Sequence, residues 1–239
     1  MKHPKRRMGE KRKRLCSILS AFILCVAVAA TARLLYTPVT RAEQPEPPKA
    51  RLLYIDPGHG GFDLGAVGSL PDGGRLPEKE LVLAIALSVS DRLRSEGCTL
   101  QLSRTGDERL TYLTAADEVR ARRAAAEQAE VDLLLSIHAN AYAGEGRAYG
   151  PRVYYHPDSE PSRRAAEAIA AAITQHTGAI IGRECRVVAD DSYYLLANPE
   201  LPAVLIEVGF LSDATECALL ATPAYREALC EAICAGAMQ

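Results

Sequence analysis

The stretch VDLLLSIHA, residues 131–139, is a nearly continuous apolar run that closes on a histidine. A strand with one wet face alternates apolar and polar residues, so an unbroken run of this length reads as a strand covered on both faces, as in a parallel sheet. AVLIEVGFL (203–211) repeats the pattern and ends at Ser212-Asp213, a suitable helix cap. Working outward, RLLYID (51–56), TLQLSR (99–104) and RVYYH (152–156) read as further strands. Helical patterns lie between them. From Glu78 to Glu96 the apolar residues Val82, Ile85, Ala86, Val89 and Leu93 share one stripe, and Gly97 supplies a stop. An Ala- and Arg-rich helix spans Leu110 to Gln128, Ala165, Ile169, Ala172 and Ile173 mark another, and Thr222-Pro223 opens the last with cap and first-turn proline in the favoured order. Strand and helix in alternation predict a single α/β domain with a mixed, largely parallel twisted sheet flanked by helices on both faces. Ligands of such sheets gather at the carboxyl ends of the strands, which makes the residues just after each strand the ones to examine.

The chain of 239 residues is 48% hydrophobic and 24% charged, ordinary globular values that exclude a wholly disordered or collagen-like chain. Its formal net charge of -2 averages two unlike pieces: residues 1–14 carry eight Lys and Arg against the single acid Glu10, so the head is +7 and the remainder -9. The basic head abuts LCSILSAFILCVAVAATA, Leu15 to Ala32, which holds no charge. This reads as export machinery with the positive end on the cytoplasmic side, either an uncleaved signal anchor or a signal peptide cleaved near Ala32 after Ala30-Thr31-Ala32. The head therefore speaks for membrane topology and not for nucleic acid. Residues 33–49, with Pro38, Pro45, Pro47 and Pro48, read as a semi-extended stalk, which leaves 50–239 as an exported catalytic domain. Seven cysteines, an odd count without a CxxC pair, do not read as a disulfide framework, and Cys230 with Cys234 reads as two small apolar residues on one helix face.

After the first strand stands Asp56-Pro57-Gly58-His59-Gly60-Gly61, where glycines let the backbone turn sharply and leave His59 projecting into a cleft. His138 occupies the same topological position after the strand 131–137. Two histidines at two strand ends suit a catalytic zinc, which takes three protein ligands and keeps an open position for water. The third ligand should be a carboxylate or a histidine from a neighbouring element. Glu78 stands at the start of the first long helix, where it either serves that role or, with Glu80, complements the helix dipole. Glu207 is the one charge in a strand that should lie inside the sheet. A buried carboxylate is costly, so it is paired, for instance with Arg104, or lies beside a metal, or is held with a raised pKa, which is what a general base near neutral pH needs.

IDPGHGGFDLGAVG (55–68), EKELVLAIAL (78–87), LSRTGD (102–107), LLLSIHANA (133–141) and AVLIEVGFLSD (203–213), in this order and at these intervals, resemble the zinc-dependent N-acetylmuramoyl-L-alanine amidases, the amidase type 3 family of cell-wall hydrolases. The resemblance covers nearly all of residues 51–239. It implies that His59, Glu78 and His138 bind Zn2+ and that Glu207 is the catalytic residue. It also implies peptidoglycan as the partner, hydrolysis of the amide between N-acetylmuramic acid and L-alanine, and the possibility of an activating partner protein. Asp63, Arg104 and Asn140 are candidates for substrate contacts or for hydrogen bonds that orient the ligands. Within the family the basic head, the single anchor and the VEVGFLS-like ending look most similar to the sporulation-specific CwlD type, which implies a role in spore cortex maturation through muramic-δ-lactam formation. The short path from Ala139 to Arg152 shows no obvious inhibitory helix of the kind found in division-associated amidases. Two rival readings keep the same residues: a zinc peptidase acting within the stem peptide, and a membrane-tethered peptidoglycan-binding protein whose catalytic centre has decayed.

Overall fold

Both apolar runs lie at the middle of a six-stranded sheet, where each face of a strand meets a covering layer. The computed structural model describes residues 50–109, 114–143 and 148–239, and of the first 49 residues only 14, 26 and 31. The basic head, the anchor or signal run and the stalk otherwise lie outside the described residues. In chain order the elements are β1 (Leu52–Pro57), β2 (Val67–Ser69), β3 (Arg75–Pro77), α1 (Glu78–Ser95), β4 (Thr99–Leu102), α2 (Ala115–Gln128) and β5 (Leu133–Asn140). There follow β6 (Arg152–Tyr155), α3 (Glu160–Ile181), β7 (Arg186–Ala189), a 3-10 turn (Tyr194–Leu196), β8 (Ala203–Phe210), α4 (Ala214–Leu220) and α5 (Pro223–Ala237). The main sheet has the order β4-β1-β5-β8-β6-β7, while β2 and β3 form a separate antiparallel hairpin. All neighbours in the main sheet are parallel except β6 against β8, so the sheet is mixed and largely parallel.

Period-two alternation divides the core. Leu53, Ile55, Leu133, Leu135, Ile137, Val204, Ile206 and Val208 face one way, under α1, α3 and α5, with Val82, Ile85, Val89, Ile169, Ile173, Leu229 and Ile233 packed on them. Tyr54, Leu134, Tyr154 and Leu205 face the other way, under Ala126 of α2 and Leu195 and Leu196 of the 3-10 turn. The second face carries a single helix, and a cleft opens there. Helix starts follow local chemistry: Asp213 accepts from the Thr215 and Glu216 amides at the head of α4, and Thr222 from the Tyr225 amide at the head of α5. Pro77 caps α1 without a side-chain hydrogen bond, and the Glu78 and Lys79 amides donate instead to the carbonyls of Ala66 and Leu64. This ties the loop after β1 to the first turn of α1. Among the described residues no helix is long and apolar enough to cross a membrane, and Cys98, Cys185, Cys217, Cys230 and Cys234 are free thiols.

After β1 the chain crosses through α1 to β4, and after β5 it turns to the opposite side of the sheet, so a crevice opens at the carboxyl ends of β1 and β5. The central strands hold that crevice in place. Leu135 is fully buried in β5, and Leu135→Ala is expected to cost about 2–5 kcal/mol, read as a lowered urea midpoint with an unchanged slope.

Candidate metal centre and active site

Two strand ends and one helix start meet at the crevice. His59 follows β1, His138 lies near the end of β5, and Glu78 is the first residue of α1. Glu78 Oε1 is 3.0 Å from His59 Nε2 and 2.9 Å from His138 Nδ1, and the three ligand atoms all lie within 4.8 Å of one another. Further hydrogen bonds hold His59 and Glu78 in place. His59 Nδ1 is 2.8 Å from Asp63 Oδ2, Glu78 Oε2 accepts from the Ala66 amide at 2.9 Å, and Glu78 Oε1 also accepts from the Ala139 amide at 3.0 Å. Two imidazoles and a carboxylate converging on one point, one imidazole held from behind by a carboxylate, are a donor set that could hold a metal ion. Burial would raise the Glu78 carboxyl, but hydrogen bonds from His138 and His59 hold it far below the ordinary carboxylate range. Burial would lower His59, yet Glu78 and Asp63 raise it overall.

Close approach needs two glycines. A Cβ on Gly58 would stand 2.2 Å from His138 Cε1, and one on Gly65 (φ +63) would stand 2.5 Å from Glu78 Oε2. His59 itself sits at φ 61, a left-handed conformation that costs a non-glycine residue free energy unless its surroundings impose it. Two buried arginines do so. Arg122 donates to Asp56 Oδ1 at 2.9 Å, to the Pro57 carbonyl at 2.7 Å and to the His59 carbonyl. Arg104 donates to the carbonyls of Pro57 (3.1 Å), Gly58 (2.8 Å) and Lys79 (2.8 Å), so it grips the loop and the head of α1 together. Asp56 accepts in addition from Ser103 and Ser136, at 2.7 and 2.8 Å. Burial would raise its carboxyl, but Arg122 and the two hydroxyls keep it below the ordinary value.

Glu207 stands opposite His138 in the register of β5 and β8. Its Oε2 is buried without a hydrogen-bond partner, in contrast to every oxygen of Glu78 and Asp56. Burial pushes this carboxyl up to about 7, and the charge of Glu78 pushes the same way, while His138, His59 and Arg152 pull it down. Glu207, His59 and His138 line one cleft of about 490 Å³, whose remaining wall includes Val119, Tyr193 and Leu195.

The structure brings His59, Glu78 and His138 together and sets Glu207 beside them, with Asp63 on His59. Glu80, the other acid at the head of α1, faces solvent. Arg104 neither pairs with Glu207 nor touches a ligand side chain, because its donors are spent on backbone carbonyls. Asn140 contributes its carbonyl to the Leu211 amide at 2.8 Å, beyond a register shift between His138 and Asn140. Sequence reasoning missed Arg122, one of several arginines in α2, and it missed Asp56 as the acid that Arg122 needs.

Fold and site together define a class: a mixed α/β domain that gathers two imidazoles and a carboxylate beside a second carboxyl with one unsatisfied buried oxygen. A model of the N-acetylmuramoyl-L-alanine amidase family matches residues 53–239. The chain belongs to this family, whose members are hydrolases of peptidoglycan. The Bacillus subtilis protein named as uncharacterized protein YqiI is 35% identical over 82% of this chain and 87% of its own length. The germination-specific N-acetylmuramoyl-L-alanine amidase of Bacillus subtilis is 30% identical over 81% of each chain. Among solved structures, the CwlD amidase from Clostridioides difficile in complex with the GerS lipoprotein aligns with a TM-score of 0.69 at 30% identity, covering 79% of this chain and 96% of that one.

Glu207 has a measurable signature apart from turnover. Its folded value of about 7 exceeds the ordinary 4.5, so the group does not weaken folding below the lower value, weakens it progressively as pH rises from the lower to the higher one, and does so fully above it. Glu207→Gln removes that loss. In metal-free protein the stability of the variant relative to wild type is expected to grow between about pH 5 and pH 8, by up to about 3 kcal/mol, in urea unfolding at both pH values. Parallel pH profiles for the two proteins would contradict the raised carboxyl.

Proposed function

We propose that the chain cleaves the amide bond between N-acetylmuramic acid and the L-alanine of the stem peptide, using zinc held by His59, Glu78 and His138. The observation that carries this reading is the convergence of those three donors beside Glu207, a buried carboxyl with an unsatisfied oxygen. Zinc bound there supplies Lewis acidity, which polarises the scissile carbonyl and eases proton loss from water. Glu207 takes the proton of the attacking water and returns it to the amine of L-alanine as the C–N bond breaks, acting as base and then as acid. Asp63 fixes the tautomer of His59 that leaves Nε2 free for the metal. Arg122 and Arg104 hold the loop that carries His59, and the apolar side chains of Val119, Tyr193 and Leu195 shape the wall against which the substrate lies.

The reading extends to where and when the enzyme works. The chain is exported, held at the membrane by residues 15–32 or secreted after cleavage near Ala32, and it acts on peptidoglycan outside the cytoplasm. Its role is in the spore cortex, in the step that removes peptide on the way to muramic-δ-lactam, which the likeness to the germination-specific amidase supports. An activating partner belongs to the same reading, since the CwlD amidase is described in complex with a lipoprotein.

Purified protein is expected to hold about one zinc per chain. Glu207→Gln should keep the metal while turnover falls about 10²–10⁴-fold, and His59→Ala should lose the metal. Mass spectrometry of digested peptidoglycan should show peptides beginning with L-alanine and muramic acid without peptide. Unchanged turnover in Glu207→Gln sinks the assigned base, and stem fragments still joined to muramic acid point to the peptidase. Spores lacking the chain should lack muramic-δ-lactam, and cell fractionation should place the chain outside the cytoplasm.

A further inference from the structure

A row of side chains crosses the sheet at the level of the site. His138 of β5 pairs in register with Glu207 of β8, Glu207 with Arg152 of β6, and Arg152 with Arg186 of β7. Residues opposite one another on neighbouring strands project on the same face. That face is the one under α2, because Tyr154, two residues along from Arg152, is packed there with Leu205 and Leu195. The row therefore runs from metal ligand to base to two cations.

Arg152 forms no salt bridge among the described residues, and the carboxyl that feels its charge is Glu207, opposite it in the sheet. Arg152 Nε is buried without a hydrogen-bond partner, and no carboxylate among the described residues lies within ion-pair distance of it. A guanidinium kept for stability alone is normally paired, because a partly buried charge without a partner is costly. What holds Arg152 is neutral: the guanidinium lies over the Phe210 ring at 4.9 Å, and Nη1 reaches the Tyr154 hydroxyl at 3.4 Å. Tyr154 in turn contacts Tyr193, at 5.0 Å between ring centroids, and Tyr193 lines the cleft with Glu207. Arg152 is thus tied through Tyr154 to Tyr193 of the cleft wall without an ion pair of its own. Arg186 beyond it is exposed.

A planar guanidinium with free donors recognises a carboxylate. Two strand spacings separate His138 from Arg152, about 10 Å, and an extended chain advances about 3.3–3.6 Å per residue. An acid on the residue after the scissile position, with its own side-chain reach, spans that gap. We infer that Arg152, with Arg186 behind it, forms an anion subsite for a free carboxylate on the stem-peptide residue that follows L-alanine, and so selects acidic over amidated stem peptides. The inference rests on the amidase reading for the direction in which the peptide leaves the metal.

The test uses the zinc-loaded full chain and two muramyl tripeptides that differ only in a free carboxylate or a carboxamide on the second residue. Wild type is expected to show a KM about tenfold lower for the acid. Arg152→Gln should erase the preference by raising KM for the acid to that for the amide, Arg152→Lys should retain part of it, and the exposed Arg186→Gln should weaken it to a smaller degree. Zinc content and melting temperature of each variant are matched to wild type, and if Arg152→Gln does not fold, the Lys and Arg186 variants decide. Binding of the two free tripeptides, which contain no muramyl amide, is measured alongside. Failure of wild type to cleave either muramyl substrate refutes the amidase reading, whereas equal KM and equal tripeptide affinity for acid and amide, or a preference that survives in Arg152→Gln, refutes the subsite.

Discussion

The buried ion pair of Asp56 and Arg122 is the constraint on which the rest of the site depends. The two groups meet at 2.9 Å with side chains 1% and 4% exposed. Removing two charges from water is expensive, and the attraction between them offsets that cost only when the remaining donors and acceptors are also used. They are used here: Asp56 takes two serine hydroxyls, and Arg122 spends its other donors on Glu118 and on the carbonyls of Pro57 and His59. Those carbonyls belong to the loop that carries the first ligand, so the satisfied pair is also what holds His59 at a positive φ. Loss of Arg122 would leave the Asp56 carboxylate in the core without its cation and release the loop in the same event.

Around this clamp the site divides polar groups into two kinds. The groups that must stay still are saturated. Glu78 is held by the Ala66 and Ala139 amides, His59 by Asp63, and the head of α1 by Arg104. Glu207 is the exception. It sits in a strand whose eight residues are all buried, with one oxygen unsatisfied, and so is held near the midpoint of its titration around neutral pH. Rigidly held groups beside a single tunable carboxyl suit proton transfer. Arg152, one strand further along, repeats the logic with the opposite charge.

The parts of this arrangement that were legible in the sequence are those where burial acts on composition. VDLLLSIHA and AVLIEVGFL read as doubly covered strands because no polar alternation survives in them, and Glu207 stands out because it interrupts one. The pairing of DPGHGG with SIHAN at two strand ends was legible for the same reason, since the strands in front of them could be recognised. The short strands β2, β3 and β7 were not, because three or four half-exposed residues carry no periodicity and pair only once their neighbours are in place. Arg122 was hidden among Arg120, Arg122 and Arg123, where only the rotation of α2 against the end of β1 decides which one turns inward. Arg104 was legible as important but not in its task, since no residue pattern records where backbone carbonyls point.

The central claim is that water attacks the carbonyl joining the lactyl group of muramic acid to L-alanine. Digestion of peptidoglycan in ¹⁸O-labelled water tests it most directly, because hydrolysis places one oxygen from water in the new carboxylate. The label is expected in the lactyl carboxylate of muramic acid, with none in the released peptide. Label in a carboxylate of the stem peptide, with muramic acid unlabelled, would contradict the account.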